Sequence, residues 1–442
     1  MLLLSLGAVV LASGEPNVLR VLWTTPLKSH CFGSAAVADA DGDGGLDVAF
    51  ATYFGDHTVR VLRGRDGSEV WSWEDPKDNC YDASVRFHDV DGNGTPELIV
   101  PCSSGCRVAA FAAKDGREVW SVDLAYGECT DSPQWIGDLG GKPSIVVGTF
   151  KANVKVLNAA DGTITATIPI APAGAVQTCP IVIEVRGEEA IIAGIFSRDK
   201  ANTGLVAARA SDGEVLWRAP LPESVYHGAS VIETPGGPML RIGTYDGKVY
   251  TIDPRDGRIV DAIETGERYY MSPTVTVALE QGPVTIAACE RLTAINPDGS
   301  IRWAVPIAEN LRPAFEAVTR GVSVADVDGD GSQDLAYLTT HGLFRVVDGR
   351  DGREVASFDA ASLIGDGRRV GHVSHSPVLA DFDGDGRLDA FFVIGGGGEQ
   401  RPDGTATPRF GLAVCLTGFE GRASAENSWT TMRGDNQNLG GR

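Results

Sequence analysis

The chain has 442 residues, with 59 acidic and 38 basic side chains, a formal net charge of −21 and 55 glycines. So acidic a chain disfavours nucleic acid or an anionic membrane surface as a partner, because both would repel it. No long amphipathic run with a period of 3.6 residues is present, which argues against a mainly helical fold.

The first fourteen residues, 1–14, are predicted to be a signal-peptide-like segment. Leu2 to Ala12 is apolar over about the length of a signal-peptide core, and Ala12-Ser-Gly14 supplies small residues for cleavage. This run is too short to span a bilayer, and no later run is long enough, so we expect no transmembrane segment. The prediction is a secreted, periplasmic or cell-surface protein; an ordinary apolar terminus is the alternative.

Four nine-residue acidic loops, at 39–47, 89–97, 326–334 and 381–389, lie between short apolar runs. Oxygen side chains at positions 1, 3, 5 and 9 and a carbonyl at position 7 form a ligand set suited to Ca²⁺, and glycine at position 6 permits the sharp turn. The predicted metal ligands are Asp39, Asp41, Asp43, Gly45, Asp47, Asp89, Asp91, Asn93, Thr95, Glu97, Asp326, Asp328, Asp330, Ser332, Asp334, Asp381, Asp383, Asp385, Arg387 and Asp389. Position 12 is never Glu and the flanks are short and rich in β-formers, which excludes EF-hands. Ordinary Asp/Gly turns are the alternative.

A second repeat places Asp-Gly between two strand-like runs, with Gly67, Gly116, Gly162, Gly213, Gly257, Gly299 and Gly352 spaced 42 to 53 residues apart. Hairpins at this period predict propeller blades, and Gly421 marks an eighth copy. The fold prediction is all-β: an eight-bladed β-propeller over 15–422 with a polar C-terminal tail, 423–442, and seven blades as the alternative. The segment 18–27 resembles strands that follow the turns, so we expect it to complete the last blade and close the ring.

The acidic loops resemble the FG-GAP or VCBS repeats of integrin α-chain propellers and bacterial surface proteins. The hairpins resemble the PQQ-like repeats of quinoprotein dehydrogenases and outer-membrane assembly lipoproteins, and the tail from Trp429 resembles a segment that flanks such repeats. The resemblance implies a propeller with calcium and leaves function open. Residues 134–144 form a decayed loop that keeps only Asp138, and blades 4 to 6 have none. About four calcium ions are therefore expected, on blades 7, 8, 1 and 2.

Eight cysteines fit an oxidising compartment. We predict a disulfide between Cys102 and Cys106, which lie in one loop between two strands. Cys80 with Cys129, or Cys31 with Cys80, are alternative bridges. The remaining three, Cys179, Cys289 and Cys415, are interpreted as small buried hydrophobic residues.

Residues just before the innermost strands are expected to line one mouth of the central channel, where propellers usually bind ligands. They are His30, Asp82, Asp131, Tyr226, His227, Tyr269, Tyr270, His372 and His375. His30, His372 and His375 are the candidate metal or acid–base cluster; polar residues bonded to water and backbone are the alternative. Adjacent cysteines are absent and several turn strands lack tryptophan, which disfavours PQQ as a cofactor.

The functional prediction is a monomeric, calcium-stabilised binding or scaffold module with a protein or polysaccharide ligand. The alternative is an enzyme that uses the channel mouth, either polysaccharide-active or similar to a PQQ-dependent dehydrogenase. No catalytic residues are assigned, because nothing in the sequence resembles a nucleophile elbow or a Ser-His-Asp order.

Overall fold

The computed structural model describes residues 18–81, 83–307, 316–365, 367–371, 375–401 and 404–434. These residues form eight four-stranded antiparallel sheets and two single 3₁₀ turns, Lys200–Asn202 and Ala360–Leu363. Each sheet is one blade, and the blades follow one another in chain order. The prediction of an all-β, eight-bladed propeller is confirmed.

After the N-terminal strand β1 (Arg20–Leu27), the strands of each blade run in chain order from the innermost to the outermost. Blade 1 contains β2 (Ala36–Ala38), β3 (Asp47–Ala51), β4 (Thr58–Arg63) and β5 (Glu69–Glu74). Blade 2 contains β6 (Arg86–His88), β7 (Glu97–Cys102), β8 (Arg107–Ala112) and β9 (Glu118–Asp123). Blade 3 contains β10 (Trp135–Asp138), β11 (Pro143–Gly148), β12 (Asn153–Asn158) and β13 (Ile164–Pro169). Blade 4 contains β14 (Ile181–Val185), β15 (Glu188–Ile195), β16 (Gly204–Arg209) and β17 (Val215–Pro220).

The second half of the ring repeats this arrangement. Blade 5 contains β18 (Ser230–Thr234), β19 (Gly237–Gly243), β20 (Lys248–Ile252) and β21 (Ile259–Glu264). Blade 6 contains β22 (Val275–Val277), β23 (Val284–Ala288), β24 (Arg291–Ile295) and β25 (Ile301–Pro306). Blade 7 contains β26 (Ser323–Ala325), β27 (Asp334–Leu338), β28 (Leu343–Asp348) and β29 (Glu354–Asp359). Blade 8 contains β30 (Val378–Ala380), β31 (Asp389–Gly396) and β32 (Phe410–Thr417), and β1 is its outermost strand.

The N-terminal strand closes the ring, as predicted. β1 pairs antiparallel with β32, from Arg20 opposite Thr417 to Leu27 opposite Gly411. Because both ends of the propeller share one sheet, the ring has no open blade. The core lies between neighbouring sheets, and second strands such as β3 and β7 are buried along their whole length.

Five outer strands carry a tryptophan that docks on the next blade. Each indole Nε1–H donates to the backbone carbonyl three residues before the glycine of the neighbouring Asp-Gly turn. The donor and acceptor pairs are Trp23 and Gly64, Trp71 and Ala113, Trp120 and Ala159, Trp217 and Pro254, and Trp303 and Gly349. The ring also covers the turn glycine: a Cβ on Gly116 would lie 2.5 Å from Trp71 Cε3. These glycines therefore permit both the turn and the contact between blades.

The described chain contains one disulfide, between Cys106 and Cys129, so the predicted Cys102–Cys106 bridge is wrong. Cys102 faces the core between blades 1 and 2, whereas Cys106 packs against the core between blades 2 and 3. The two thiols thus lie on opposite faces of one blade. The alternative bridges through Cys80 are also wrong, because Cys31 and Cys80 are buried thiols that form no disulfide.

The other cysteines, Cys179, Cys289 and Cys415, are buried and free, as predicted. Within the described ranges, no helix has the length and apolar character needed to cross a membrane. The predicted leader, residues 1–14, lies outside those ranges and stays a prediction.

Candidate functional site

The four acidic loops join the two innermost strands of blades 1, 2, 7 and 8 and share one hydrogen-bonding scheme. In every loop, the carboxylate at position 1 accepts the backbone N–H groups of positions 4 and 6. The carboxylate at position 9 accepts the N–H of position 2. In blade 1 these distances are 2.9 and 3.1 Å to Asp39 and 3.0 Å to Asp47. The backbone therefore orients the carboxylates.

Glycine is needed at two positions of each loop. Gly42 has φ of 79° and Gly44 has φ of 88°, and the equivalent glycines of the other three loops are also left-handed. The glycine at position 6 was predicted from the sequence, whereas the equal need at position 4 was not. A side chain at either position would strain the turn that aims the backbone N–H groups at the first carboxylate.

The carboxylate oxygens of each loop converge. In each loop, one oxygen from each of three acidic residues lies within 4.8 Å of the other two. The groups are Asp39, Asp41 and Asp43; Asp89, Asp91 and Glu97; Asp326, Asp328 and Asp334; and Asp381, Asp383 and Asp385. Two ligands on one Ca²⁺ are at most about 5 Å apart, since each lies about 2.3 to 2.6 Å from the ion. The described loops are therefore suited to a hard cation in both ligand type and spacing.

The carboxylate at position 9 is buried. Burial, followed by the neighbouring loop carboxylates, raises the pKa of Asp47 and of Asp389 to about 6 and that of Asp334 to about 8. Burial also raises the pKa of Glu97. A bound cation would favour the ionised form of all four groups.

Arginines balance part of this charge in blades 1 and 7. Arg63 Nη2 lies 2.9 Å from Asp41 Oδ2, and Arg65 Nη1 lies 3.2 Å from Asp43 Oδ2. In blade 7, Arg350 pairs with Asp330 and with Asp348. An arriving cation would have to share these carboxylates with the guanidinium groups.

The decayed loop of blade 3 has a different partner. Asp138 ends β10, and the Gly140 N–H donates to Glu189 Oε2 of blade 4 at 2.8 Å. Within the described chain, the four groups of converging carboxylates all belong to blades 7, 8, 1 and 2. The innermost strands of these blades are consecutive neighbours in the ring.

The predicted channel-mouth residues lie on the leading loops, which precede the innermost strands. Of the described ones, His30, Asp131, His227, Tyr270 and His375 are buried, and Tyr226 and Tyr269 are half-buried. Asp82 and His372 lie outside the described residues, so the cluster of His30, His372 and His375 stays a prediction. His30 packs on Phe32 and Tyr53, and His375 on Phe391.

Sequence reasoning missed Arg320, which stands three residues before β26, as His227 stands before β18 and His375 before β30. Arg320 Nη1 and His227 Nε2 are 2.9 Å apart. Since a guanidinium can only donate, Arg320 is the donor and the imidazole nitrogen accepts. Burial, then Arg320 and Arg433, lower the pKa of His227 well below its ordinary value. Burial lowers the pKa of His375 to about 3. Both imidazoles are therefore neutral at pH 7.

The C-terminal tail runs through the central channel. Trp429 exchanges both backbone hydrogen bonds with Leu379 of β30, and the Val37 N–H of β2 donates to the Thr430 carbonyl at 2.9 Å. Further along, Arg86 Nη2 of β6 donates to the Met432 carbonyl at 3.1 Å. The tail therefore contacts the innermost strands of blades 8, 1 and 2 in turn.

Arg433 carries the tail to the opposite side of the ring. Its guanidinium donates to the carbonyls of Gly228 and Ala229 before β18, and to that of Thr274 before β22. Both Trp429 and Arg433 are at most 1% exposed. The described part of the tail, 423–434, thus runs along the channel from the end with the acidic loops to the end with the leading loops.

The start of the tail is bonded to the acidic loops. Asn427 Oδ1 accepts the Asp326 N–H at 2.7 Å, and its Nδ2 donates to the Asp326 carbonyl at 2.9 Å. The Ala423 N–H donates to the Gly386 carbonyl at 3.1 Å. Loop geometry in blades 7 and 8 is therefore linked to the position of the tail.

Aromatic rings cover the leading-loop end beside the channel. Phe196 lies edge-on to Tyr226 and Tyr245, with centroids 5.6 Å from each, and Tyr245 contacts Tyr269 at 5.7 Å. These four rings, which we call the aromatic cluster, are half-buried. They form a surface with apolar faces and polar edges.

Two family models match the chain. The FG-GAP-like repeat model matches residues 33–100, and the model described as outer membrane protein assembly factor BamB matches 151–329 and 202–401. Both agree with the resemblances found in the sequence. No curated protein sequence matches the chain.

Solved structures with the same fold differ widely in the proteins they represent. BamB from Moraxella catarrhalis is 15% identical, with a TM-score of 0.54, over 90% of this chain and 98% of BamB. Quinohemoprotein alcohol dehydrogenase from Comamonas testosteroni is 12% identical, with a TM-score of 0.61, over 92% and 77%. The V. cholerae biofilm matrix protein Bap1 is 12% identical, with a TM-score of 0.58, over 94% of both chains. At these identities the similarity shows the fold alone.

Proposed function

We propose that this chain, which belongs to the repeat family described as outer membrane protein assembly factor BamB, is an exported, calcium-stabilised binding or scaffold module of the cell surface or periplasm. The observation that carries the proposal is the tail in the channel. Trp429 and Arg433 occupy the axis of the ring, where a site built from the innermost strands would have to lie. A channel in which the protein's own buried tail residues lie supports binding at the surface rather than chemistry inside.

An enzyme that uses the channel mouth is the competing function. The position of Trp429, Met432 and Arg433 in the described channel argues against a planar quinone such as PQQ at the axis of the ring. His227 and His375, two of the described histidines of the mouth, also suit proton transfer poorly, since burial lowers the pKa of both.

Calcium is the ion we propose for the four loops. Asp, Asn and Glu side chains together with a carbonyl at position 7 give only hard oxygen ligands, and no cysteine or histidine lies among the described loop residues. With four ions bound, the net charge of −21 would become about −13. The surface would still repel nucleic acid and anionic lipid.

The aromatic cluster is the proposed binding surface for a protein or polysaccharide ligand of the monomer. Two of these half-buried rings, Tyr226 and Tyr269, are on leading loops, and Phe196 and Tyr245 are on connections between the second and third strands of blades 4 and 5. They give contact area at little entropic cost, because the blades hold these segments in place. Tyr126, which is 99% exposed on the loop between blades 2 and 3, offers a matched aromatic residue outside the cluster.

The test measures binding and turnover on the same purified protein in millimolar calcium. Biolayer interferometry against immobilised envelope polysaccharides and envelope proteins should give a ligand whose affinity falls at least tenfold in Tyr245→Ala and is unchanged in Tyr126→Ala. Added PQQ should support no dye-linked alcohol oxidation. Turnover of an alcohol or polysaccharide by the wild-type protein, or equal binding by both variants, would contradict the proposal.

A further inference from the structure

One junction between blades lacks the tryptophan that fills it elsewhere. In blade 3, Ala166 of β13 pairs with Val156, as Trp71 pairs with Val61 in blade 1. In both blades the register shifts immediately after this pair. Ala166 therefore stands at the position of an indole ring.

Blade 4 keeps the receiving half of this contact. Ala210 lies three residues before Gly213, as Ala113 lies before Gly116, and the Ala113 carbonyl accepts the indole N–H of Trp71. Gly213 has φ of 75°, close to the 70° of Gly116. The turn is thus built like those that receive a tryptophan, although blade 3 presents only a methyl group.

The space left by the missing ring is an open cleft. It has a volume of about 540 Å³ and lies between Ala166 and Ala210, with Leu139, Pro143 and Val156 among its apolar walls. Arg209 at its rim forms ion pairs with three carboxylates, Glu188, Asp212 and Glu214, at 3.1, 2.9 and 2.6 Å. With Lys142 and Glu189 also at the cleft, two cations face four carboxylates, so the rim is net acidic, and the walls combine apolar side chains with polar ones such as Ser144 and Asn158.

The other two junctions without tryptophan are filled. Between blades 5 and 6, the buried Arg241 donates to the carbonyls of Ile295 and Pro297 at 3.1 and 3.0 Å. Between blades 7 and 8, Phe419 is 1% exposed and packs on Phe344. Of the eight described junctions, five hold an indole, two hold these substitutes, and that of blades 3 and 4 stays open.

We propose that this cleft binds one planar aromatic ring with an N–H donor, of the indole class, as a small-molecule ligand. The ring would lie between Ala166 and Ala210 and donate to the Ala210 carbonyl, as five indoles of the chain do at sister junctions. All eight tryptophans of the chain are described, and none lines the cleft, although Trp135 belongs to the core between blades 3 and 4 against which Ala166 and Ala210 pack. A ring in the cleft would therefore come from outside the chain.

Ile168 lies beside the proposed position of the ring. Its side chain lies 3.3 Å from the Cβ position of Gly213, two residues after Ala166. In blade 6, Val305 and Trp303 are likewise two residues apart, and both lie about 3 Å from the corresponding position of Gly352. An aliphatic side chain at this place is therefore compatible with an indole beside it.

The experiment titrates indole and 1-methylindole into the full chain, with ligand-observed NMR and calorimetry as readouts. Indole should bind saturably at one site, and 1-methylindole about fivefold more weakly, because it cannot donate to the Ala210 carbonyl. Ala166→Trp should abolish binding, since the chain then supplies its own ring. Ala166→Leu, a smaller change, should weaken binding and serves if the first variant does not fold.

Two controls separate the cleft from surface binding. Ala356→Trp, at the equivalent position of blade 7 where Phe419 is present, should leave indole binding intact. Trp120→Ala should open a second indole site between blades 2 and 3. The proposal is overturned if wild-type protein shows no saturable indole binding, or if Ala166→Trp and Ala166→Leu both bind indole as wild type does.

Discussion

Blades 7, 8, 1 and 2 turn their innermost hairpins differently from blades 4 and 5. The first group uses nine-residue loops in which carboxylates accept backbone N–H groups. In blade 4, Arg186 and Gly187 alone connect Val185 to Glu188, with φ of 55° and 83°, which is a two-residue hairpin turn. The innermost hairpin is thus formed by carboxylate–backbone hydrogen bonds in one part of the ring, and in blade 4 by two residues with left-handed backbone conformation.

These two kinds of turn determine where the ring is sensitive to solution conditions. Closely spaced carboxylates repel one another unless a cation or a proton is present, whereas a two-residue turn is indifferent to both. The seam of the ring, where β1 meets β32, lies in blade 8 and therefore in the charged part. Conditions that disturb the acidic loops should act on the seam first.

Calcium removal should change stability more than any single substitution in the loops. With affinities near 10⁻⁴ M, 1 mM calcium stabilises by about 1.4 kcal/mol for each site. Chelation should therefore cost up to about 6 kcal/mol over four sites and lower Tm in calorimetry, and excess calcium should restore it. A Tm that does not change with chelator at neutral pH would contradict a role for calcium in the stability of blades 7, 8, 1 and 2.

Two tryptophans at equivalent positions test whether seam and loops are coupled. Trp23→Ala in blade 8 and Trp217→Ala in blade 4 should each cost about 3 to 5 kcal/mol, because each deletes a buried indole. Only Trp23→Ala should also reduce the stabilisation by calcium, measured as the Tm difference with and without chelator. Equal calcium dependence in both variants would show that the two parts of the ring are not distinct.

The pH dependence of stability gives a smaller effect, and raising the pH should destabilise the calcium-free protein while increasing the stabilisation by calcium. Without calcium, burial raises the pKa of Asp334 to about 8, above the unfolded value of about 3.9. The calcium-free protein is therefore most stable below the unfolded pKa and loses stability as pH rises toward 8. The gain from calcium should grow by about 1 to 3 kcal/mol from pH 5 to 8. Asp334→Asn should flatten this trend.

The subtlest change concerns stoichiometry. Asp41→Ala and Asp383→Ala each remove a ligand from one acidic loop, so calorimetric titration should lose about one calcium equivalent. Asp138→Ala alters only the decayed loop of blade 3 and should lose none. Equal losses in all three variants would mean that blade 3 binds calcium as blades 1 and 8 do.

The eight blades and the acidic loops could be predicted because both are local: Asp-Gly turns and carboxylate spacing are properties of short segments. The course of the tail could not be predicted, because Arg433 donates to the carbonyls of Gly228 and Thr274, which are distant from it in the sequence. The Cys106–Cys129 bridge was not predicted, because the face of the sheet to which each cysteine side chain points decides which thiols can meet, and the spacing of the cysteines in the sequence does not give that face.

The seam also affects the order of folding. Because β1 is synthesised near the start of the chain and its partner β32 near the end, β1 and its Trp23 stay unpaired while the first seven blades form. Pairing two strands so far apart in the sequence is slow, and an unpaired strand edge is prone to aggregate. A chain that stops before residue 410 has no strand for β1 to join. Ring closure therefore distinguishes complete chains from truncated ones, and a truncated product would be left open to proteolysis.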